Sequence, residues 1–225
     1  MTDRDEITDT ADQAYTRRLQ ALSGTGWKRW LDVQAPYRWN LRRLGLGYTL
    51  EVGCGIGRNL GHLAGHGVGV DHNAQSVAVC RSLGFTAYTV DEFFRSPDAV
   101  PGRFDAILAA HVLEHVPVDA ARAIVESYLP YLKPGGCVVL ITPQEAGQRS
   151  DPSHVHFFDL AQLGSLARAL GLQVEQSYSF PFPRLAGWLF KYNEFVLVAR
   201  KPAHGPQAAP GRDQALRLPT DATLR

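Results

Sequence analysis

The chain has 225 residues with 23 basic and 22 acidic side chains, and its formal net charge is +1. This near-neutral balance, without a long basic run, argues against an extended basic surface that binds nucleic acid or an anionic membrane electrostatically. The length predicts one domain, which is large enough for a sizeable buried core.

Cysteine content and apolar patterning predict a cytoplasmic protein. The three cysteines are an odd number, and the first residues (Met-Thr-Asp-Arg-Asp-Glu) are polar and acidic, unlike a signal peptide. No apolar run approaches the roughly 20 residues that span a bilayer. We therefore expect free thiols, no membrane span and a cytoplasmic location.

The two ends of the chain differ from its middle. Residues 1–12 are polar and are predicted to be disordered, and residues 14–46 show a helical pattern interrupted at 23–26 and at Pro36. The segment after Lys201 is rich in proline and glycine and has no apolar period, which predicts a disordered tail.

The middle of the chain alternates between strand and helix patterns. Such alternation predicts a parallel sheet with helices on both faces, and a short last connection predicts an antiparallel hairpin at its C-terminal edge. Ligands of these sheets bind beyond the carboxyl ends of the strands, where Gly53, Asp71, Asp91 and His111 fall. Strands are predicted at 48–52, 67–71, 86–90, 104–110, 136–142, 172–180 and 193–200, and helices at 58–65, 74–83, 119–132 and 159–170.

Residues 50–60, Leu-Glu-Val-Gly-Cys-Gly-Ile-Gly-Arg-Asn-Leu, carry the strongest functional signal. Glycines at a strand-to-helix turn allow a positive φ and a close approach of the backbone to a ligand. The dinucleotide fingerprint G-x-G-x-x-G is not completed, because Arg58 stands where its third glycine would be. A tight turn without a ligand is the alternative interpretation.

Together with four later segments, this turn resembles the class I S-adenosylmethionine-dependent methyltransferases, in particular small-molecule enzymes of the ubiquinone and menaquinone type. The later segments are residues 68–71 (Val-Gly-Val-Asp), 87–91 (Ala-Tyr-Thr-Val-Asp), 104–115 and 131–141. The resemblance implies a Rossmann-like, doubly wound, mostly parallel seven-stranded sheet in residues 41–200. A partly disordered helical segment (1–40) would precede this domain, and a disordered tail (201–225) would follow it.

The resemblance also implies the cofactor, S-adenosyl-L-methionine, and its product, S-adenosyl-L-homocysteine. In the family, the acidic residue and the glycine turn hold the methionine end and the ribose, and later acids meet the ribose and the adenine. Carried over residue by residue, the predicted cofactor contacts are Glu51, Gly53, Cys54, Gly55, Gly57, Asn59, Asp71, His72, Asp91, Glu92, Ala110 and His111.

Residues 111–115, His-Val-Leu-Glu-His, also match the zinc-peptidase pattern H-x-x-E-H. That chemistry needs both histidines on one helical face and a third ligand elsewhere. The segment directly follows an apolar strand, and Pro117 comes two residues later, so a stable helix is not expected there. We predict no metal site, and a zinc hydrolase is the alternative.

The acceptor side is predicted in two later segments. Residues 151–158 (Asp-Pro-Ser-His-Val-His-Phe-Phe) resemble the Pro-x-His-x-x-x-Phe element of the small-molecule enzymes, which carries over His154 as a general base. Anchoring of the loop is the alternative role for His154. The aromatic residues 180–192 are predicted to form an acceptor-pocket wall or a homodimer contact, and burial against the sheet is the alternative.

We therefore expect a methyltransferase that acts on a small-molecule acceptor, more readily at oxygen than at nitrogen or carbon. The preference for oxygen depends on the histidines of residues 151–158. A catalytically silent methyltransferase-like module that binds the cofactor and serves as a partner is the alternative from another class.

Overall fold

The computed structural model describes residues 32–203, which form an α/β fold around one sheet and confirm the predicted fold class. The strands of this sheet are β1 (Thr49–Val52), β2 (Gly67–Asp71), β3 (Thr86–Thr89), β4 (Phe104–Ala110), β5 (Leu132–Pro143), β6 (Gln173–Phe180) and β7 (Glu194–Arg200). The α-helices are α1 (Ala35–Arg43), α2 (Arg58–His62), α3 (Ala74–Ser82), α4 (Val90–Phe94), α5 (Val118–Tyr128), α6 (Glu145–Arg149) and α7 (Leu160–Ala169). Short 3₁₀ turns occupy Leu113–His115, Leu129–Tyr131 and Arg184–Trp188.

The strand order is β3-β2-β1-β4-β5-β7-β6. Strands β1 to β5 pair in parallel, and β7 runs antiparallel to both β5 and β6, as the predicted edge hairpin requires. The chain order reverses at β1, which lies between β2 and β4. Ligands of open α/β sheets bind at such a switch point, beyond the carboxyl ends of the strands. The glycine turn after β1 lies there.

The sheet is buried on both faces, which explains the apolar runs of its central strands. Successive side chains of a strand point to opposite faces. Along β4, Ile107 and Ala109 pack in one apolar cluster, whereas Leu108 and Ala110 pack in the other. This two-sided burial fixes the register of β4 and hence the position of the residues that follow it.

Several element boundaries differ from the predicted ones. Strand β3 ends at Thr89, because Thr89 and Glu92 form a capping box that starts helix α4. The predicted strand 86–90 is therefore one residue too long, and Asp91 follows it in the first turn of α4. Helix α5 ends at Tyr128, where Pro130 diverts the chain into a 3₁₀ turn. The short helix α6 was not predicted.

The ends of the chain are only partly described. The predicted helical segment 1–40 and the disordered tail 201–225 lie mostly outside residues 32–203, and helix α1 crosses the predicted boundary at residue 40. Both boundaries stay predictions. Within the described part of the chain, no helix is long and apolar enough to cross a membrane.

Candidate functional site

A cavity of about 130 Å³ opens at the carboxyl ends of β1 and β4. Helix α1, the glycine turn, the end of β4 and the start of β7 all border it. Seven of the predicted cofactor contacts are among its lining residues: Glu51, Gly53, Cys54, Gly55, Asn59, Ala110 and His111. The others, Gly57, Asp71, His72, Asp91 and Glu92, are not in that lining.

The glycine turn has a backbone that other residues rarely adopt. Gly53, Gly55 and Gly57 have φ values of +73°, +52° and +80°, in the left-handed region. A Cβ on Gly53 would lie 2.2 Å from Cγ2 of Val112, so a side chain is also excluded by contact. The three glycines therefore set the path of the backbone along the cavity wall.

Glu51 is a buried carboxyl group at the base of the cavity, with 1 % of its surface exposed. Its Oε1 accepts a hydrogen bond of 2.8 Å from Asn59 Nδ2, whereas Oε2 is buried and has no partner within the described part of the chain. Burial raises the pKa of Glu51 to about 8, although the Asn59 hydrogen bond opposes the shift. A buried carboxyl oxygen without a partner suits a cationic or hydrogen-bond-donating ligand.

Asp71 at the end of β2 holds the glycine turn in place. Its Oδ2 accepts the N–H of Gly55 at 2.7 Å and its Oδ1 accepts the N–H of Asn73 at 2.9 Å. The neighbouring His72 ring lies 3.4 Å from Oδ1 and is 75 % exposed. Because each carboxylate oxygen has two lone pairs, Asp71 can accept ligand hydroxyls as well.

Asp91 and Glu92 lie in the first turn of helix α4. Asp91 is exposed there. The carboxylate of Glu92 accepts the N–H of Thr89 at 2.8 Å and a hydrogen bond from Arg81 at 2.7 Å. These two contacts hold the pKa of Glu92 below its usual range. Glu92 thus caps the helix, and its predicted cofactor contact stays a prediction.

His111 bridges two carboxylates at the far side of the cavity. Its Nε2 lies 2.8 Å from Oε1 of Glu194, and its Nδ1 lies 3.2 Å from Oε1 of the buried Glu114. Burial lowers the pKa of His111, but the hydrogen bonds to Glu114 and Glu194 outweigh it and raise the pKa to about 10. The ring is 43 % exposed, so solvent weakens this pKa shift. The direction of the shift favours the charged imidazolium form of His111.

The aromatic residues 180–192 lie beside helix α1 and contact the cavity through Tyr37, but none of them is among the lining residues. Tyr37, a cavity residue, donates a 2.7 Å hydrogen bond to the carbonyl of Tyr192 and makes an edge contact with Phe180 at 5.8 Å. Leu185 and Leu189 of the same segment are 81 % and 92 % exposed. The segment therefore supports a lining residue, Tyr37, and also presents apolar side chains to solvent, and its predicted role as an acceptor-pocket wall stays a prediction. The predicted homodimer contact stays a prediction.

His154 does not line the cavity. Its ring packs edge-on against His115 at 4.8 Å, and its Nδ1 lies 3.1 Å from the carbonyl of Gln148. Ligand atoms of Glu114, His115 and His154 lie within 4.8 Å of one another, close enough to hold a metal ion. The H-x-x-E-H pairing of His111 with His115 is wrong for this fold, since His111 turns to Glu194.

Sequence reasoning missed Glu194, Gln144 and Asn193. Gln144 and Asn193 are fully buried, and Gln144 Nε2 donates 2.8 Å hydrogen bonds to Ser179 Oγ and to the carbonyl of Glu194. These contacts join residues that are 35 and 50 positions apart. The one local feature of the sequence that could have indicated this part of the site was an acidic residue, Glu194, at the start of an apolar strand.

Comparison with known proteins agrees with the fold. The chain is 30% identical over 173 residues to the ubiquinone biosynthesis O-methyltransferase of Thiobacillus denitrificans, a match that covers 66% of this chain and 71% of that one. The S-adenosylmethionine-dependent methyltransferase of Archaeoglobus fulgidus superposes with a TM-score of 0.56 at 18% identity, over 73% of this chain and 93% of that one.

A third relative was solved with a bound product. The 1,6-didemethyltoxoflavin-N1-methyltransferase of Burkholderia thailandensis, in complex with 1,6-didemethyltoxoflavin and S-adenosylhomocysteine, has a TM-score of 0.56 at 19% identity, over 90% of this chain and 92% of that one. The family model described as a methyltransferase domain matches residues 17–177. The chain therefore belongs to the methyltransferase-domain family and is a class I methyltransferase with S-adenosylmethionine as its cofactor.

Proposed function

We propose that this methyltransferase transfers the methyl group to a hydroxyl oxygen of a small-molecule acceptor. The observation that carries the proposal is the cavity itself, in which the glycine turn and a carboxylate-bearing wall face one another. The relative from Thiobacillus denitrificans, an O-methyltransferase of ubiquinone biosynthesis by name, supports oxygen as the target. A hydroxyl acceptor also needs a base nearby, and the wall offers carboxylates.

Glu51, Asn59, Asp71 and the glycine turn are the residues that we propose to hold the cofactor. The buried Oε2 of Glu51 has no partner among residues 32–203, so it fits a positively charged or hydrogen-bond-donating group. Asp71 already orders the turn and keeps lone pairs free for ribose hydroxyls. We also propose that the remaining predicted residues contact the cofactor, namely His72, Asp91, Glu92, Ala110 and His111.

The bound cofactor supplies a methyl group that its sulfonium already activates. The protein therefore contributes alignment of donor and acceptor and exclusion of water. Tyr37 and Tyr192 close one side of the cavity through their hydrogen bond. Buried Gln144 and Asn193 hold the start of β7 against the end of β5, so the acceptor wall is fixed before the ligands arrive.

Turnover on a defined set of acceptors tests this function. The set contains catechol, 4-nitrocatechol, amines and carbon nucleophiles, and mass spectrometry identifies the methylated atom. Methylation of hydroxyl groups supports the proposal. Products methylated only at nitrogen or carbon would contradict it, and cofactor binding without any product would favour the catalytically silent module.

Replacing Asp71 with Ala should weaken cofactor affinity by roughly 1–3 kcal/mol, the loss expected when hydrogen bonds to a charged group disappear. Calorimetry with S-adenosylhomocysteine measures this effect. Asp119→Ala is the matched control, since it removes an exposed aspartate from the start of helix α5. Unchanged affinity in a folded Asp71→Ala protein would refute the assignment.

Cofactor affinity should rise with pH in a way that depends on Glu51. The free protein holds a proton on Glu51 below pH about 8, because burial raises its pKa, and a cationic ligand favours the ionised form. Binding below that pH should then release a proton. Calorimetry in two buffers of different ionisation enthalpy measures the release, and Glu51→Gln should abolish it. Equal proton release in both proteins would remove Glu51 from the cofactor site.

Methyl transfer should continue after treatment with a strong chelator, since an activated sulfonium needs no metal to react. Turnover and metal content are measured together before and after chelation. Loss of activity with recovery on adding a divalent cation would contradict this prediction. It would assign the cation to Glu114, His115 and His154, the donors that lie together.

The sequence prediction that His154 is the general base has its own test. If His154 were the base that removes the acceptor proton, His154→Ala would lower turnover by about 10²–10⁴-fold and leave cofactor affinity nearly intact. His156→Ala is the control, because that ring packs against Phe158 at 4.6 Å. Equal, modest losses in both variants would assign His154 to anchoring the loop.

A further inference from the structure

Glu194 is an acidic residue that lines the cavity on the side away from the glycine turn. It starts strand β7, its side chain is 13 % exposed, and it lines the same cavity as Glu51 and Gly55. Three other titratable groups surround Glu194. His111 contacts it directly, and Arg58 lines the same cavity. Burial raises the pKa of the Tyr37 phenol, and the charge of Glu194 is close enough to raise it further.

The orientation of Glu194 is imposed by its neighbours. His111 has a φ of +59°, a backbone conformation that is costly for a residue with a side chain. In this conformation its ring reaches Glu194 on one side and Glu114 on the other, and Glu114 is fully buried. A strained backbone at a ligand cavity is typical of functional sites.

The backbone of Glu194 is held as firmly as its side chain. Gln144 donates to the Glu194 carbonyl, and the Gln144 N–H donates to the carbonyl of Asn193 at 3.0 Å. A Cβ on Gly187 would lie 1.8 Å from Oε1 of Gln144, so the segment before β7 can close on Gln144 only with glycine there. The carboxylate is therefore positioned before any ligand binds.

We propose that Glu194 is the general base of the reaction, and that His111, backed by Glu114, positions it. The inference deepens the proposed function and rests on it. The acceptor O–H bond breaks and its proton passes to the Glu194 carboxylate. An oxygen electron pair forms the new bond to the methyl carbon, and the electron pair of the broken C–S bond stays on sulfur.

The charges of the three side chains suit this step. An imidazolium between two carboxylates leaves one excess negative charge beside the cavity, since three ionised groups carry one positive and two negative charges. The acceptor proton neutralises that excess as the sulfonium loses its own charge. A partly buried site favours a reaction that ends with less uncompensated charge.

Glu194→Gln is the variant that separates proton removal from positioning, because the amide keeps the shape of the side chain. We expect its turnover on catechol to fall by about 10²–10⁴-fold. On 4-nitrocatechol, whose hydroxyl ionises far more readily, the loss should be much smaller. Binding of S-adenosylhomocysteine and the melting temperature should be those of the wild-type protein.

Glu145→Gln is the matched control. Glu145 has the same exposed fraction as Glu194, 13 %, and pairs with Arg184 outside the cavity lining, so its turnover should match the wild type. Equal losses of Glu194→Gln on catechol and 4-nitrocatechol, or unchanged turnover, would overturn the inference. A wild-type protein that methylates neither catechol would contradict the proposed function as well.

Discussion

One buried carboxylate, that of Asp71, fixes the geometry on which the cofactor half of the site depends. It accepts N–H groups from the glycine turn and from the start of helix α3, and so joins the ends of β1 and β2. Asn73, two residues on, caps that helix through the N–H groups of Gln75 and Ser76. Hydrogen bonds to a charged group are stronger than neutral ones. A turn of three glycines, which has high conformational freedom of its own, thereby takes one path.

A second buried carboxylate, that of Glu114, has the corresponding role on the acceptor side. It holds His111, and its backbone carbonyl accepts the N–H groups of Val155 and His156 at 2.8 and 3.1 Å. The same residue thus fixes the position of the 151–158 loop and the orientation of Glu194. This arrangement explains why His154 lies beside His115 and away from the cavity: its loop is tied to Glu114.

The predictable parts of the molecule are those whose signal is local. The mostly parallel seven-stranded sheet, its edge hairpin and the glycine turn follow from apolar periods, glycines and acids at strand ends, and the structure confirms them. The end of β3 was misplaced because a capping box, Thr89 with Glu92, competed with an apolar run. Glu194, Gln144 and Asn193 were missed because the contacts that join them to one another and to His111 include pairs 49, 50 and 83 residues apart in sequence.

The sequence separation of the contacting residues also differs between the two halves of the site. The contact that orders the cofactor turn spans 16 residues, from Gly55 to Asp71, whereas the contact between His111 and Glu194 spans 83. The first depends on two neighbouring β-α units, and the second depends on β7 inserting antiparallel beside β5. The segment 180–194 and the glycine turn are therefore held by separate sets of contacts. The glycine turn has a local signal in the sequence, whereas the position of Glu194 depends on contacts between distant segments, so the sequence identifies the turn better than the Glu194 side of the cavity.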